Sequence, residues 1–98
     1  MVLVEILLPL APDRLGDTTL QDVSRHLTNR FGGVTTFVRT PGEGAWKTQE
    51  GVVKDQIVVL EVMAPTVDHA WWRVFRTDLE HRLEQQEIVI RCHPIERL

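Results

Sequence analysis

The sequence predicts an α+β fold with the element order β-α-β-β-α-β. Four apolar runs have the β-branched composition of strands. They are residues 2–8, 34–40, 52–63 and 87–93. Two intervening segments place apolar side chains at helical spacing. Their apolar stripes are Leu20, Val23, Leu27 and Phe31, and then Trp71 or Trp72, Phe75, Leu79 and Leu83.

The first half of the chain has clear start and stop signals. Pro9 is expected to end the first strand, and the loop over residues 9–16 contains two prolines and a glycine. Asp17 or Thr18 caps the first helix, and Gly32-Gly33 stops it. The segment Pro41-Gly42-Glu43-Gly44 is expected to break the second strand, so that a connection of about ten residues leads to the third.

The second helix is expected to start at Pro65, Thr66 and Asp68. On its exposed side, Arg76–Glu80 and Asp78–Arg82 have the i,i+4 spacing of helical ion pairs. Pro94 either ends the last strand or marks it as an edge strand.

This element order is the ferredoxin-like split βαβ arrangement. Right-handed crossovers place the strands of the antiparallel sheet in the order 4-1-3-2, with both helices on one face. The 98 residues form one domain, 1–98. A hydrophobic content of 43% and a charged content of 26% are typical of a soluble globular protein.

Charge and cysteine content exclude several classes of partner and site. The net charge is −3, from 11 basic and 14 acidic residues without a basic block, so we expect neither a nucleic-acid nor a membrane partner. Cys92 is the single cysteine, which excludes an internal disulfide and fits a cytoplasmic location. The apolar N-terminus has no basic leader and carries Glu5, which favours a strand over a signal peptide.

Strand alternation assigns each side chain to one face of the sheet. The helix-covered face receives Val2, Val4, Ile6, Leu8, Val34, Thr36, Val38, Val58, Leu60, Val62, Ile88, Ile90 and Cys92. Cys92 is thus expected to be an inert core residue. The opposite face receives Leu3, Glu5, Leu7, Thr35, Phe37, Arg39, Ile57, Val59, Glu61, Met63, Val89, Arg91 and His93. That face is too apolar for a monomer, which predicts a homodimer formed through it.

Glu5 and Glu61 interrupt the two most apolar runs, and a buried carboxylate needs a compensating partner. Across the sheet, the expected order of charges is Arg91 or His93, Glu5, Glu61 and Arg39. One interpretation is a salt-bridge network that fixes the register of the dimer. The other is a wet cavity between two sheets that binds or protonates a small polar ligand.

Other motifs predict little chemistry. Trp46, in a Gly-rich segment, belongs either to a hairpin loop that packs on the protein or to a lid over a cavity. The four histidines show no metal-ligand spacing, so we expect no metal site, and no motif predicts a cofactor. The topology also allows an RNA-binding module, but the acidic net charge and the lone Phe37 disfavour it.

The string Phe31-Gly32-Gly33-Val34-Thr35, followed by Gly44-Ala45-Trp46 and Gly51-Val52-Val53, resembles a family of small bacterial proteins without an assigned reaction. The likeness covers about residues 31–62. The topology also resembles dimeric α+β barrel proteins, which include small monooxygenases and lactone isomerases. The chain is therefore expected to be a ligand-binding or interaction domain that dimerises. The alternative is a small cofactor-independent enzyme that acts on a small polar molecule with five residues of the helix-free face: Glu5, Arg39, Glu61, Arg91 and His93.

Overall fold

The structure, a computed structural model, describes residues 1–10, 18–48 and 51–98, and the side chains of 1–9, 18–37 and 57–98. The predicted element order is confirmed. The elements are β1 (Val2–Leu10), α1 (Thr19–Phe31), β2 (Thr35–Thr48), β3 (Gly51–Ala64), α2 (His69–Arg82) and β4 (Val89–Pro94).

All strand neighbours in the sheet are antiparallel, and the order is β2-β3-β1-β4. This is the predicted order 4-1-3-2 read from the other edge. The two central strands, β1 and β3, are the longest apolar runs of the chain, because a strand with neighbours on both sides is the most shielded from water.

The core lies between the sheet and the two helices. Alternate residues of β1 and β3 point into it, and apolar stripes of α1 and α2 cover them. The fully buried sheet residues include Ile6, Leu8 and Leu60, which have no exposed surface. From the helices, the buried side chains are Val23 and Leu27 of α1 and Trp72, Phe75 and Leu79 of α2. Trp72 is therefore the core tryptophan, and Trp71 is half-buried beside it.

Hydrogen bonds to the backbone fix both helix ends that the sequence marks most strongly. Gly32 has φ +84°, and its N–H donates to the Thr28 carbonyl at 2.8 Å. Glycine adopts this left-handed conformation without the steric cost that other residues have. At the start of α2, the Asp68 carboxylate accepts the Trp71 N–H at 3.1 Å.

The predicted i,i+4 ion pairs on α2 are replaced by longer-range contacts. Arg82 Nη2 lies 2.7 Å from Asp22 Oδ2, which links α2 to α1. Glu80 Oε2 accepts the backbone N–H of Ile88 at 2.9 Å. The carboxylate of Glu80 thereby fixes the turn into β4, because Ile88 is buried and its N–H needs an acceptor.

The predicted break after residue 40 is wrong. The backbone of β2 continues to Thr48 and pairs with β3 as far as Gly51, with a register shift between Arg39 and Gly44. Such a bulge accommodates extra residues without ending the strand. Since the described part of the chain pairs β1 with β3 as far as Gln56, the far parts of the described β2 and β3 form a two-stranded ribbon beyond this pairing.

The expected burial of Cys92 is also wrong. Cys92 is the cross-strand partner of Val4, so it shares the helix-covered face as predicted. It is nevertheless exposed, because β4 is an edge strand and α2 does not cover this part of it. Within the described ranges, neither helix combines the length and apolarity needed to cross a membrane.

Candidate functional site: the helix-free sheet face

The helix-free face carries both apolar and charged side chains, arranged in rows across the strands. One row, here called the apolar row, is Phe37, Val59, Leu7 and Val89, each paired with the next across neighbouring strands. Val59 is 7% exposed, whereas Phe37 and Val89 at the two ends are 46% and 47% exposed. Met63, on the same face of β3, is 47% exposed. The row is thus a continuous apolar strip across all four strands.

The adjacent row holds most of the charge. It consists of Thr35, Glu61, Glu5 and Arg91, and is here called the charged row. Arg91 Nε lies 3.5 Å from Glu5 Oε1, and His93 Nδ1 lies 3.7 Å from the same oxygen. The Glu5 side chain is 18% exposed, which limits its access to water and makes these two contacts its main compensation. The sequence predicted Arg91 or His93 beside Glu5, and the structure places both there.

Glu61 has a different environment. It lies directly opposite Glu5 on the neighbouring strand, where two like charges repel each other. Its neighbour on β2 is Thr35, and no described side chain forms an ion pair with it. The expected adjacency of Arg39 is wrong, because Arg39 pairs with Ile57, four residues along β3 from Glu61. That separation is about 13 Å along the strand.

Arg39 and Trp46 both have side chains outside the described part of the structure, so their predicted roles stay predictions. The backbone of Trp46 lies in β2 opposite Val53, within the ribbon rather than in a loop. If Trp46 covers a cavity, the whole ribbon would therefore have to lie over that cavity.

A groove that the sequence analysis missed lies at the other face, between α2 and β4. Its volume is about 240 Å³, and its lining includes His69, Arg73 and Arg76 from α2 and Ile90 and Cys92 from β4. The spacing of the three basic residues on α2, i, i+4 and i+7, places them on one side of the helix and is the signal that was available in the sequence. Among the described residues, no group of three His, Cys, Asp or Glu side chains is placed to hold a metal ion.

Neither the comparison with protein-family models nor the comparison with curated proteins finds a match. The likeness of residues 31–62 to small bacterial proteins therefore stays a prediction. What the protein does has to be inferred from its own two surfaces, the helix-free face and the groove.

Proposed function

We propose that the protein is an interaction domain that forms a homodimer through its helix-free sheet face. The observation that carries the proposal is the apolar row, which runs across all four strands and ends in two side chains that are nearly half exposed. A contiguous apolar strip of this kind is typical of a contact surface. Because both helices pack on the opposite face, a second sheet is the simplest complement to this one.

The charges next to the apolar row favour a second copy over an unrelated partner. Glu61 has no cation among the described side chains, while Arg91 and His93 are 60% and 53% exposed. A face that offers both an unpaired carboxylate and accessible cations is complementary to itself, as a two-fold symmetric interface requires. We infer that a cation of the second copy compensates Glu61 and thereby fixes the register of the dimer.

The ribbon formed by the far parts of β2 and β3 supports the same proposal. Beyond Gln56, β3 has β2 as its one partner strand in the described sheet. A two-stranded ribbon is marginally stable by itself and gains from packing against another surface. In a face-to-face dimer, the ribbon of each copy would extend along the sheet of the other.

The experiment compares two valine substitutions by sedimentation equilibrium. Val89→Lys places a charge at the end of the apolar row, and we expect the dimer dissociation constant to rise at least about tenfold. Val74→Lys is the matched control, because Val74 is 62% exposed on α2, away from this face. Lysine is well tolerated on edge strands such as β4, so the first variant is expected to fold, which circular dichroism verifies. Equal dimerisation of both variants would refute the proposal.

A second candidate function is a small cofactor-independent enzyme that acts on a small polar molecule between two sheets. It is favoured by the charged row, where Glu5 and Glu61 lie side by side and an arginine and a histidine contact Glu5. A crystal structure of the dimer separates the two candidates. A solvent-filled cavity lined by Glu5 and Glu61 would support the enzyme, and a dry interface packed around paired charges would exclude it.

The proposal places the protein in the bacterial cytoplasm. The one cysteine in the chain and the likeness of residues 31–62 to bacterial proteins are its support.

A further inference from the structure

We propose that the groove between α2 and β4 binds a small organic anion, a carboxylate with an apolar body. The groove is lined on the sheet side by β4 and by Val4 of β1, and on the helix side by α2. Val4 and Trp72 are buried core side chains that reach its floor, at 2% and 7% exposure. Basic side chains of α2 border it, so an apolar floor lies next to positive charge.

Three arginines line the groove; Arg73 and Arg76 have no ion pair with any described residue, whereas Arg91 contacts Glu5. On α1, α2 and β4, the guanidinium groups of Arg25, Arg30, Arg82 and Arg91 each contact a carboxylate. Arg73 and Arg76 are both exposed. Two unpaired guanidinium groups one turn apart are well placed to bind an anion between them.

The positive charge of the groove is a local feature and not a property of the whole chain. The chain has a net charge of −3, yet no aspartate or glutamate is among the described residues that line the groove. His69, at the first position of α2, adds a further group that carries positive charge when protonated. The groove is therefore a positive region on an acidic protein, and such a region attracts anions.

The size and floor of the groove decide which anions fit. Its volume of about 240 Å³ is below the range usual for drug-sized ligands. The apolar floor formed by Val4, Trp72 and Ile90 favours a ligand with a hydrocarbon or aromatic body over a fully hydrated ion. A monocarboxylate with a small apolar body satisfies both requirements, because arginine binds a carboxylate with two parallel hydrogen bonds.

Cys92 makes the proposal testable, because it lines the groove, is exposed, and is the one cysteine of the chain. Iodoacetamide, a neutral reagent, alkylates it: the thiol proton passes to solvent, the Cys92 sulfur forms a bond to the methylene carbon of the reagent, and iodide leaves. The rate is followed by intact mass at a fixed pH, and the rates with and without ligand are compared within each variant, because the rate also depends on the fraction of thiolate. We expect saturating benzoate to slow the reaction at least about threefold, and benzyl alcohol, the neutral analogue, to leave it unchanged.

The second part of the test substitutes Arg73 and Arg76. R73Q/R76Q is expected to abolish the protection by benzoate. R25Q/R97Q, which removes the same charge from exposed positions outside the groove lining, is expected to retain it. Equal protection in both double variants would overturn the proposal.

Two further measurements complete the test. In the first, benzoate is titrated into the ¹⁵N-labelled protein, and the amide signals of Ile90 and Cys92 are expected to shift. This titration detects binding even if the thiol stays reactive. Unchanged signals together with an unprotected thiol would contradict the proposal. Inorganic phosphate is the comparison ligand. Protection by phosphate equal to that by benzoate would contradict the requirement for an apolar body. Val89 does not line the groove, so V89K is expected to keep the protection whether or not it dimerises.

Discussion

Glu5 and Glu61 lie directly opposite each other on the two central strands of the sheet. Glu5 has Arg91 and His93 beside it, and Glu61 has no such partner among the described side chains. Like charges at directly opposed positions destabilise a sheet by a few tenths to about 1 kcal/mol. Among the described side chains Glu61 therefore has no compensating charge, and an interface that brings a cation to it would supply one.

The first prediction concerns this carboxylate. Glu61→Gln is expected to weaken the dimer about fivefold, or about 1 kcal/mol, because the cation that the second copy brings to Glu61 would lose its partner. The measurement is the dimer dissociation constant by sedimentation equilibrium. Glu96→Gln is the matched control, since it removes the same charge from an exposed position near the C-terminus. A tighter dimer with Glu61→Gln would mean that the two carboxylates face each other without compensation.

The second prediction concerns the turn from α2 into β4. Glu80→Ala removes the acceptor of the Ile88 N–H and leaves this donor unsatisfied next to the core. The free energy of unfolding is expected to fall by about 1–3 kcal/mol, measured by urea denaturation. Glu80→Gln retains a side-chain oxygen that accepts the same hydrogen bond, and should preserve most of the stability. A loss of the same size in both variants would show that the negative charge of Glu80 matters rather than its hydrogen bond.

The third prediction compares two neighbouring glycines. Gly32 has φ +84° and Gly33 has no positive φ, while at both positions the space that an added Cβ would occupy is free of other atoms within 4 Å. Gly32→Ala is expected to lower the free energy of unfolding by roughly 1–2 kcal/mol, because alanine is strained in the left-handed region. Gly33→Ala meets no such strain and should be neutral or slightly stabilising. Equal losses in thermal denaturation would mean that side-chain volume, and not backbone conformation, limits this turn.

The two faces of the sheet were predictable because successive side chains of a strand point to opposite faces whatever their type, and the strand order was predictable because crossovers are right-handed. Ile6, Leu60 and the residues that alternate with the two glutamates had to share one face, and Glu5 and Glu61 the other. The register of β2 was not predictable, since Pro41 and Gly42 have the composition of a turn although the strand continues past a bulge. The expected pairing of Arg39 with Glu61 failed for that reason.

The groove and the exposure of Cys92 could not be predicted from the sequence either, and the reason is different. Alternation assigns Cys92 to the helix-covered face, but it does not say how far α2 extends over an edge strand. The basic residues of α2 were visible in the sequence at helical spacing, while the sheet residues beneath them became known only with the packing of the helix.

The solution mass of the full chain tests the central claim most directly. Size exclusion with light scattering, at protein concentrations spanning the micromolar range, should give about twice the chain mass of 11.3 kDa. The same measurement on V89K should give a lower mass at equal concentration, and V74K should match the natural protein. A mass of 11.3 kDa for the natural protein at every concentration would contradict the dimer and the function proposed from it.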